Sequence, residues 1–230
     1  KGAPLIPFLD WLLYKNMNID VITLNLGGIS NLTLIPKNGD RNLVVGFDAG
    51  PGMCLIDEYS KLIWGNNLDL NAQYSLQGQI NDNLLNSLLD NSFIKKKPPK
   101  STSRENFDKL FLNKKIKKFN EISYNDFIRT LVNFTALLIK ENIYNFIKVP
   151  ENSSLIISGG GAHHPLIMKD LKNNIKINNI KILNNEKLNI DSKESFLMAV
   201  MGYACYNGIY NNMINVTGAK KLEIYGEIYE

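Results

Sequence analysis

Several residue types are scarce in this sequence, and each scarcity excludes a class of protein. Only three arginines stand among the 26 Lys and Arg residues and the net charge is +4, so we expect no nucleic-acid partner. The two cysteines, Cys54 and Cys205, cannot form a CxxC metal site and are expected to be small buried thiols. No apolar run reaches the roughly 18 residues of a membrane helix, and the first residues do not resemble a secretory signal. We therefore expect a cytoplasmic protein with no membrane partner.

The residues that are present are typical of a globular protein. Of the 230 residues, 44% are hydrophobic and 21% are charged, which is enough apolar mass for a core. Length alone allows one large domain or two small ones. The surplus lysines lie at 95–100 and 114–118, and we interpret both clusters as solvated surface.

Apolar periodicity predicts strands that alternate with helices. Helices are expected over 4–15, 53–64, 79–90, 123–146, 165–172 and 192–206. Strands are expected over 20–33, as a hairpin that turns at Gly27-Gly28, and over 43–47, 154–157 and 180–183. This alternation, with glycines at strand ends, predicts an α/β architecture whose sites lie at the carboxyl edge of the sheet.

Three glycine clusters follow predicted strands, at 27–28, 50–52 and 159–161. Glycine has no Cβ, so backbone N–H groups there can approach an anion closely. Neutral donors surround the first cluster, at Asn25, Ser30, Asn31 and Thr33. Structural alternatives stay open: residues 27–28 can simply close a hairpin. Residues 159–161 match neither GxGxxG nor the Walker pattern, and can form a tight strand-to-helix turn.

Asp48 is the strongest candidate for acid–base chemistry. It follows the apolar run 43–47 and precedes the bend at 50–52, so we expect it at the end of a strand, partly desolvated and directed at the sheet edge. Desolvation raises the pKa of a carboxyl group, which suits a general base. The alternative is an Asx-turn residue that only orders the bend.

The other polar motifs have structural explanations beside functional ones. Two pairs match the capping box of a helix N-terminus, Asp191 with Glu194 and Thr102 with Glu105. The segment 100–105 also gathers two cations and three hydroxyls behind a rigid proline pair, a composition that suits a clamp for an anion or a sugar. His163-His164 has no further ligand at metal spacing and is interpreted as a loop pair.

Six short motifs follow one another along the chain. They are NLGGISNLT (25–33), GFDAGPG (46–52), PPKSTSRE (98–105), SGGGAHHP (158–165), DSKES (191–195) and NVTGA (215–219). In this order they resemble the anhydro-N-acetylmuramic acid kinase family, and the similarity covers nearly the whole chain. Six ordered motifs are far more specific than any one glycine cluster.

The resemblance implies a fold and a reaction. The fold is an α/β, RNase H-like (actin-like ATPase) lobe, with a mixed sheet and helices on both faces. Residues 1–18 would be a hinge-side helix of the preceding lobe, and residues 19–230 the C-terminal lobe. The family's enzymes use ATP with Mg²⁺ to open the ring of 1,6-anhydro-N-acetylmuramic acid with water and to phosphorylate O6, in cell-wall recycling. A homodimer is the implied assembly.

The resemblance also implies roles for individual residues. Asp48 corresponds to the general base toward the attacking water. ATP contacts are implied at Asn25, Gly27, Gly28, Asn31, Gly159, Gly160 and Gly161. Substrate contacts are implied at Gly50, Gly52, Lys100, Arg104 and Glu194, and no residue is implied as a metal ligand.

Two departures from the family pattern leave alternatives open. Ala49 and Met53 stand where the family usually has Thr and Asn beside the base. The family's enzymes also carry an N-terminal lobe with a loop that grips the ATP phosphates. We expect that lobe to be missing here and to be needed for turnover. The alternatives are a non-catalytic lobe retained for dimerisation or ligand sensing, and a kinase for another sugar.

Overall fold

A computed structural model gives the fold and describes residues 4–147, 149, 152–183 and 192–229. The strands are β1 (Val21–Leu26), β2 (Ile29–Ile35), β3 (Val45–Pro51), β4 (Ser154–Ser158) and β5 (Asn179–Ile182). The helices are α1 (Ile6–Tyr14), α2 (Cys54–Trp64), α3 (Asp82–Leu89), α4 (Ser92–Lys95), α5 (Lys109–Lys118), α6 (Tyr124–Phe146), α7 (Pro165–Asn174), α8 (Lys193–Tyr206) and α9 (Ile214–Thr217).

The five strands form one mixed sheet in the order β3-β2-β1-β4-β5. The first three strands make an antiparallel meander, because short turns join them. β4 and β5 lie on the other side of β1 and run parallel to it, and parallel pairing requires a long crossover such as the one that contains α6. A meander extended by parallel strands in this order is the RNase H-like topology, so the predicted fold class is confirmed.

Helices cover both faces of the sheet. On one face α2, α6 and α7 build the main core against apolar strand residues such as Leu24 and Phe47. On the other face α1, α8 and α9 form a second apolar cluster with Val44. Every residue of the central strand β1 is buried, as expected for a strand that is covered on both sides.

The position of β3 corrects one prediction. The strand was expected to end at Phe47, with Asp48 beyond it, but it begins at Val45 and runs through Asp48 to Pro51. Pairing with β2 continues along the whole bend, from Leu34 opposite Val45 to Ile29 opposite Pro51, and an irregularity at Ser30/Asn31 absorbs the extra residue. A β-bulge of this kind re-aims the side chains around it, and apolar periodicity does not reveal it.

The other predicted helices and strands are found within a few residues of their expected bounds. Of the helices in the described residues, α4, α5 and α9 were not predicted, and they lie in segments rich in polar residues. The clearest is α5, which covers the lysine cluster at 114–118, is capped by the Asp108 side chain, and buries only Leu112. A helix with so narrow an apolar face gives almost no periodic signal.

The first helix packs firmly on this lobe. Phe8 and Leu9 of α1 are buried in the second cluster beside Leu197 and Met201 of α8. The assignment of residues 1–18 to a preceding lobe stays a prediction, since the described residues form one lobe. None of the helices in the described part of the chain combines the length and the apolarity needed to cross a membrane.

Candidate functional site

A row of four polar residues crosses the sheet near the carboxyl end of β1. Asp48 on β3 pairs with Asn31 on β2, Asn31 with Asn25 on β1, and Asn25 with Ser158 on β4. Paired residues on neighbouring strands point to the same face, so these four side chains share one face of the sheet. The predicted base therefore lies on one line with two of the predicted ATP contacts, Asn25 and Asn31.

A buried ion pair lies beside this row, on the same face. Asp10 of α1 contacts the Lys193 ammonium at 2.6 Å, and both side chains are at most 3% exposed. Asp10 also accepts a hydrogen bond from Thr23 Oγ1 at 2.6 Å, and Lys193 donates to Ser158 Oγ at 3.1 Å. The interpretation of the sequence missed this pair. A single acid within the apolar segment of α1 was the signal that could have indicated a buried partner.

Two donors from one loop hold the Asp48 carboxylate. Asp48 is 7% exposed, and its Oδ2 accepts hydrogen bonds from Ser101 Oγ at 2.8 Å and from the Thr102 N–H at 2.9 Å. Its own N–H donates to the Lys100 carbonyl at 3.1 Å, so the loop lies along the free edge of β3. The expected desolvation of Asp48 is thus opposed by two hydrogen bonds that favour the ionised form.

Lys100 departs from two expectations, a solvated surface position and a substrate contact. It is 2% exposed, and its ammonium lies over the rings of Phe93 and Phe146 at 5.0 and 4.8 Å from their centroids. Its Nζ donates to the Ile94 carbonyl at 3.3 Å. Burial lowers the pKa of Lys100 to about 8, against the opposite effect of Asp48. The aliphatic stem and the aromatic rings favour this inward position, while Lys95, Lys96 and Lys97 stay exposed.

Two of the three glycine clusters meet at one cavity. Gly27 and Gly28 from the β1–β2 turn and Gly160 and Gly161 after β4 line a cavity of about 560 Å³. Its apolar lining residues are Leu26, Met53, Leu68 and Leu70, and the polar ones include Asp57, Arg104 and His163. A cleft with apolar contacts, charged groups and glycine backbone on two sides suits a flat ring with a charged tail, because it offers contact area and polar partners together.

The turn after β4 is held at its ends and open in its middle. A Cβ on Gly159, which has φ +85°, or on Gly161 would lie 2.8 Å from the Leu26 carbonyl oxygen. A Cβ on Gly160 would meet nothing within 4 Å. Gly160 therefore faces free space at the cavity, whereas its two neighbours are glycine because of protein packing.

The third cluster is enclosed by protein. Gly50 has φ +141°, and a Cβ there would lie 2.7 Å from Leu138 Cδ2. A Cβ on Gly52 would lie 2.3 Å from the Gly27 carbonyl oxygen, and the Gly52 N–H donates to the Gly28 carbonyl at 2.9 Å. Both glycines are buried and neither lines the cavity, so the structure places these predicted substrate contacts inside the lobe.

Arg104 joins the same cavity from the loop that holds Asp48. Its guanidinium lies against Gly28, where a Cβ would come within 2.4 Å of Nε. Asp57 of α2 also lines the cavity, and burial raises the pKa of its carboxyl group to about 6, against the lowering effect of Arg104. Arg104 is thus placed beside the glycine turn of the predicted ATP site.

Among the described residues, the structure shows neither predicted capping box. Glu194 is exposed on the first turn of α8, whose N-cap is Ser192, and Asp191 lies outside the described residues. The capping box expected at Thr102 is wrong: a 3₁₀ turn begins at Arg104 with Ser103 as its cap, and the Thr102 N–H binds Asp48 instead.

His164 has a structural role. Its Nδ1 accepts from the Ile167 N–H at 3.3 Å, which caps α7. Its Nε2 lies 3.3 Å from Asp69 Oδ2, and both side chains are buried. His163 lines the cavity.

The strand order and the glycine turns around a cleft at the sheet edge place this chain in the class of RNase H-like, actin-like ATPase lobes. The family model described as anhydro-N-acetylmuramic acid kinase matches residues 1–230, so the chain belongs to that family. Family membership confirms the resemblance carried by the six motifs.

Three curated relatives of this chain are longer than it. Anhydro-N-acetylmuramic acid kinases of Clostridioides difficile and Francisella tularensis subsp. novicida are each 34% identical to it over 99% of its length. The kinase of Caldanaerobacter subterraneus subsp. tengcongensis is 33% identical. The chain spans about 60% of the length of these relatives. A solved activator of 2-hydroxyisocaproyl-CoA dehydratase from Clostridium difficile aligns with 90% of this chain and 65% of its own, at a TM-score of 0.49 and 12% identity, a similarity too low to support an inference.

Proposed function

We propose that this chain forms the C-terminal lobe of an ATP-dependent kinase that opens the ring of 1,6-anhydro-N-acetylmuramic acid and phosphorylates O6. The observation that carries the proposal is the shared loop: its Ser101 and Thr102 hold Asp48, which lies in one polar row with Asn25 and Asn31. Arg104 of the same loop lines the cleft together with Gly27, Gly28 and Gly160. Family membership supports the substrate class. The geometry supports two separate roles, with Asp48 as the base and the cleft as the nucleotide site.

The cleft suits a nucleotide. A purine ring would pack on the apolar lining near Leu68 and Leu70, and the phosphates would extend toward the backbone of Gly27-Gly28 and toward Arg104. Bound Mg²⁺ neutralises phosphate charge during phosphoryl transfer. Among the described residues there is no group of three or more His, Cys, Asp or Glu side chains placed to hold a metal. The ion would therefore arrive on the nucleotide. Two carboxylates line the cavity, Asp57 and Asp69. Asp69 is bound to His164 and to the Tyr74 N–H, so Asp57 is the one that would help to hold the ion.

The chemistry requires one base and one acceptor oxygen. Asp48 takes a proton from water as the water oxygen bonds to the anomeric carbon, and the bond from that carbon to O6 breaks. The released O6 then bonds to the γ-phosphorus as the bond from phosphorus to the leaving ADP oxygen breaks. Donors fixed around the cleft stabilise the charge that develops on the phosphoryl oxygens. No covalent enzyme intermediate is needed.

The Ala49 departure does not affect the base directly. Ala49 is fully buried in the main core, and its carbonyl accepts a hydrogen bond from Asn142 at 3.2 Å. Its side chain is therefore on the core side of β3, while Asp48 belongs to the polar row on the other face. This placement removes Ala49 as support for a non-catalytic lobe retained for dimerisation or ligand sensing, whereas Met53, the second departure, lines the cavity.

The first test restores the part of the relatives that this chain does not match. We define the completed enzyme as this chain joined to, or mixed with, the corresponding N-terminal part of the Clostridioides difficile relative. It should convert ATP and the anhydro sugar to ADP and a ring-opened 6-phosphate, and Asp48→Asn should lower kcat by roughly 10²–10⁴-fold, the usual contribution of a general base.

Product analysis and calorimetry separate the alternatives. Phosphorylation of a different sugar, without ring opening, would indicate a kinase for another substrate. A completed enzyme that binds neither sugar nor nucleotide would contradict the proposal and support a scaffold. Full activity of the Asp48→Asn variant would remove the base from the mechanism. The homodimer and the cytoplasmic location stay predictions.

A further inference from the structure

One of the three hydroxyls in the segment 100–105, that of Ser101, holds the carboxylate of Asp48. Ser101 Oγ donates to Oδ2 at 2.8 Å, and the next N–H along the chain, from Thr102, donates to the same oxygen at 2.9 Å. Two donors on one oxygen fix both the position and the rotation of a carboxylate, which a single contact does not.

The loop that supplies these donors is anchored on both sides of Ser101. On one side, the Lys100 carbonyl accepts from the Asp48 N–H at 3.1 Å, and the Lys100 side chain is buried among aromatic rings. On the other side, Asn106 Nδ2 donates to Thr102 Oγ1 at 3.0 Å. The Ser101 hydroxyl is therefore presented to Asp48 by a fixed backbone.

We propose that Ser101 is the positioning residue of the general base, holding Oδ2 of Asp48 in place and favouring its ionised form. The inference rests on the proposed function for the identity of the base, and on the two hydrogen bonds for the role of Ser101. Ser101 does not touch the reacting atoms; it acts through Asp48. An oriented, ionised carboxylate can accept a proton from water without first turning or losing a proton of its own.

The expected effect of removing the hydroxyl has a definite sign. A hydrogen bond to the ionised carboxylate favours that form, so its loss raises the pKa of Asp48. A hydrogen bond to a charged group corresponds to a shift of about one to two pH units. In Ser101→Ala the pH midpoint of the Asp48 titration should therefore be higher than in the wild type by this amount. Ser101→Thr keeps a hydroxyl, so its midpoint should equal that of the wild type.

The charged groups around Asp48 are the same in all these variants. Among the described residues they include Lys100 and Arg104 on the loop and the Asp10–Lys193 pair beside the polar row. Lys100 interacts electrostatically with Asp48. Because none of these groups is changed, a difference in titration between Ser101→Ala and the wild type measures the hydroxyl itself.

The first experiment needs no turnover. The carboxyl carbon of Asp48 is followed by ¹³C NMR during a pH titration of the 230-residue chain, with Asp48→Asn to assign the resonance. A matched control is Ser92→Ala, which removes an exposed hydroxyl from α4. A titration that moves up by about one unit or more in Ser101→Ala alone supports the proposal. Equal midpoints in Ser101→Ala, Ser92→Ala and wild type would overturn it, even if the kinase reaction is established.

The second experiment uses the completed enzyme. Ser101→Ala should lower kcat by about 10- to 30-fold near neutral pH, move the acidic limb of the kcat profile upward, and leave the KM for ATP unchanged. Ser101→Thr should restore both kcat and the profile. A general loss of folding would instead move KM and thermal stability together and would contradict a positioning role. If the wild type itself shows no ATP-dependent ring opening, the proposed function fails, and the NMR result still decides whether Ser101 holds Asp48.

Discussion

The bend at 50–52 forms the end of β3 and the bend at 159–161 follows β4, and both consist largely of glycine, yet their surroundings differ. Gly50 and Gly52 are enclosed on all sides that a side chain could take, by Leu138 and by the Gly27 carbonyl. In the second bend the outer glycines rest on Leu26, but Gly160 looks into the cavity. A glycine at a strand end thus indicates that another group approaches the backbone closely. The fold is needed to decide whether this group belongs to the protein or to a ligand.

The largest effect should follow from filling the enclosed bend. In Gly52→Ala the new methyl group meets a backbone oxygen at 2.3 Å, so the β1–β2 turn or the start of α2 must shift. We expect a loss of about 3 kcal/mol in the free energy of unfolding. Urea unfolding of the variant beside Gly202→Ala checks this, since a Cβ on Gly202 in α8 would meet nothing within 4 Å. Equal midpoints for the two variants would show that the bend is not tightly packed.

A smaller effect, on binding alone, should follow from filling the open bend. Gly160→Val places a side chain at the cavity, and its Cβ meets no atom of the lobe within 4 Å. The affinity of the completed enzyme for ATP should fall at least tenfold, about 1.4 kcal/mol, with an unchanged unfolding temperature. Titration with a fluorescent ATP analogue measures this, with Gly202→Val as the matched control. A variant that binds nucleotide normally would remove Gly160 from the cleft.

The smallest expected effect is on the pH dependence of the free energy of unfolding, and it concerns Asp57. This residue follows the enclosed bend in sequence but lines the cavity. Burial raises the pKa of its carboxyl group in the folded chain from 3.8 to about 6. The folded state therefore binds this proton more tightly than the unfolded state, and folding becomes more favourable as pH falls from about 6 to 4. After allowance for its partial exposure to solvent, the gain should be about 1 kcal/mol.

Asp57→Asn should remove that gain and leave stability at neutral pH equal or higher. Chemical denaturation at several pH values between 4 and 7 gives the measurement. If the slopes of stability against pH coincide for Asp57→Asn and the wild type, Asp57 does not titrate differently in the two states.

Most of the architecture could be predicted from the sequence because its signals are local. The 23 residues of α6 carry a regular apolar face, and a serine caps its start, so its position was predicted closely. The β1–β2 hairpin was marked by its glycine turn. The bulge next to Asp48 was not predictable, because it depends on how β3 pairs with β2 over a long separation.

The site could be predicted only in part, for a similar reason. Asp48 and the cavity glycines lie in recognisable motifs. The inward turn of Lys100 depends on Phe93 and Phe146, one of them far away in sequence, and the link from Ser101 to Asp48 joins residues 53 positions apart. The sequence therefore indicated which segments belong to the site but not which of their side chains face it.

The Asp10–Lys193 pair decides where this lobe can be cut. A shortened polypeptide that starts at residue 19 would keep the sheet but would leave the Lys193 ammonium enclosed without its carboxylate, and would strip the apolar cover from α8. A polypeptide designed to express this lobe separately should therefore retain α1, because α1 supplies both Asp10 and the apolar contacts to α8.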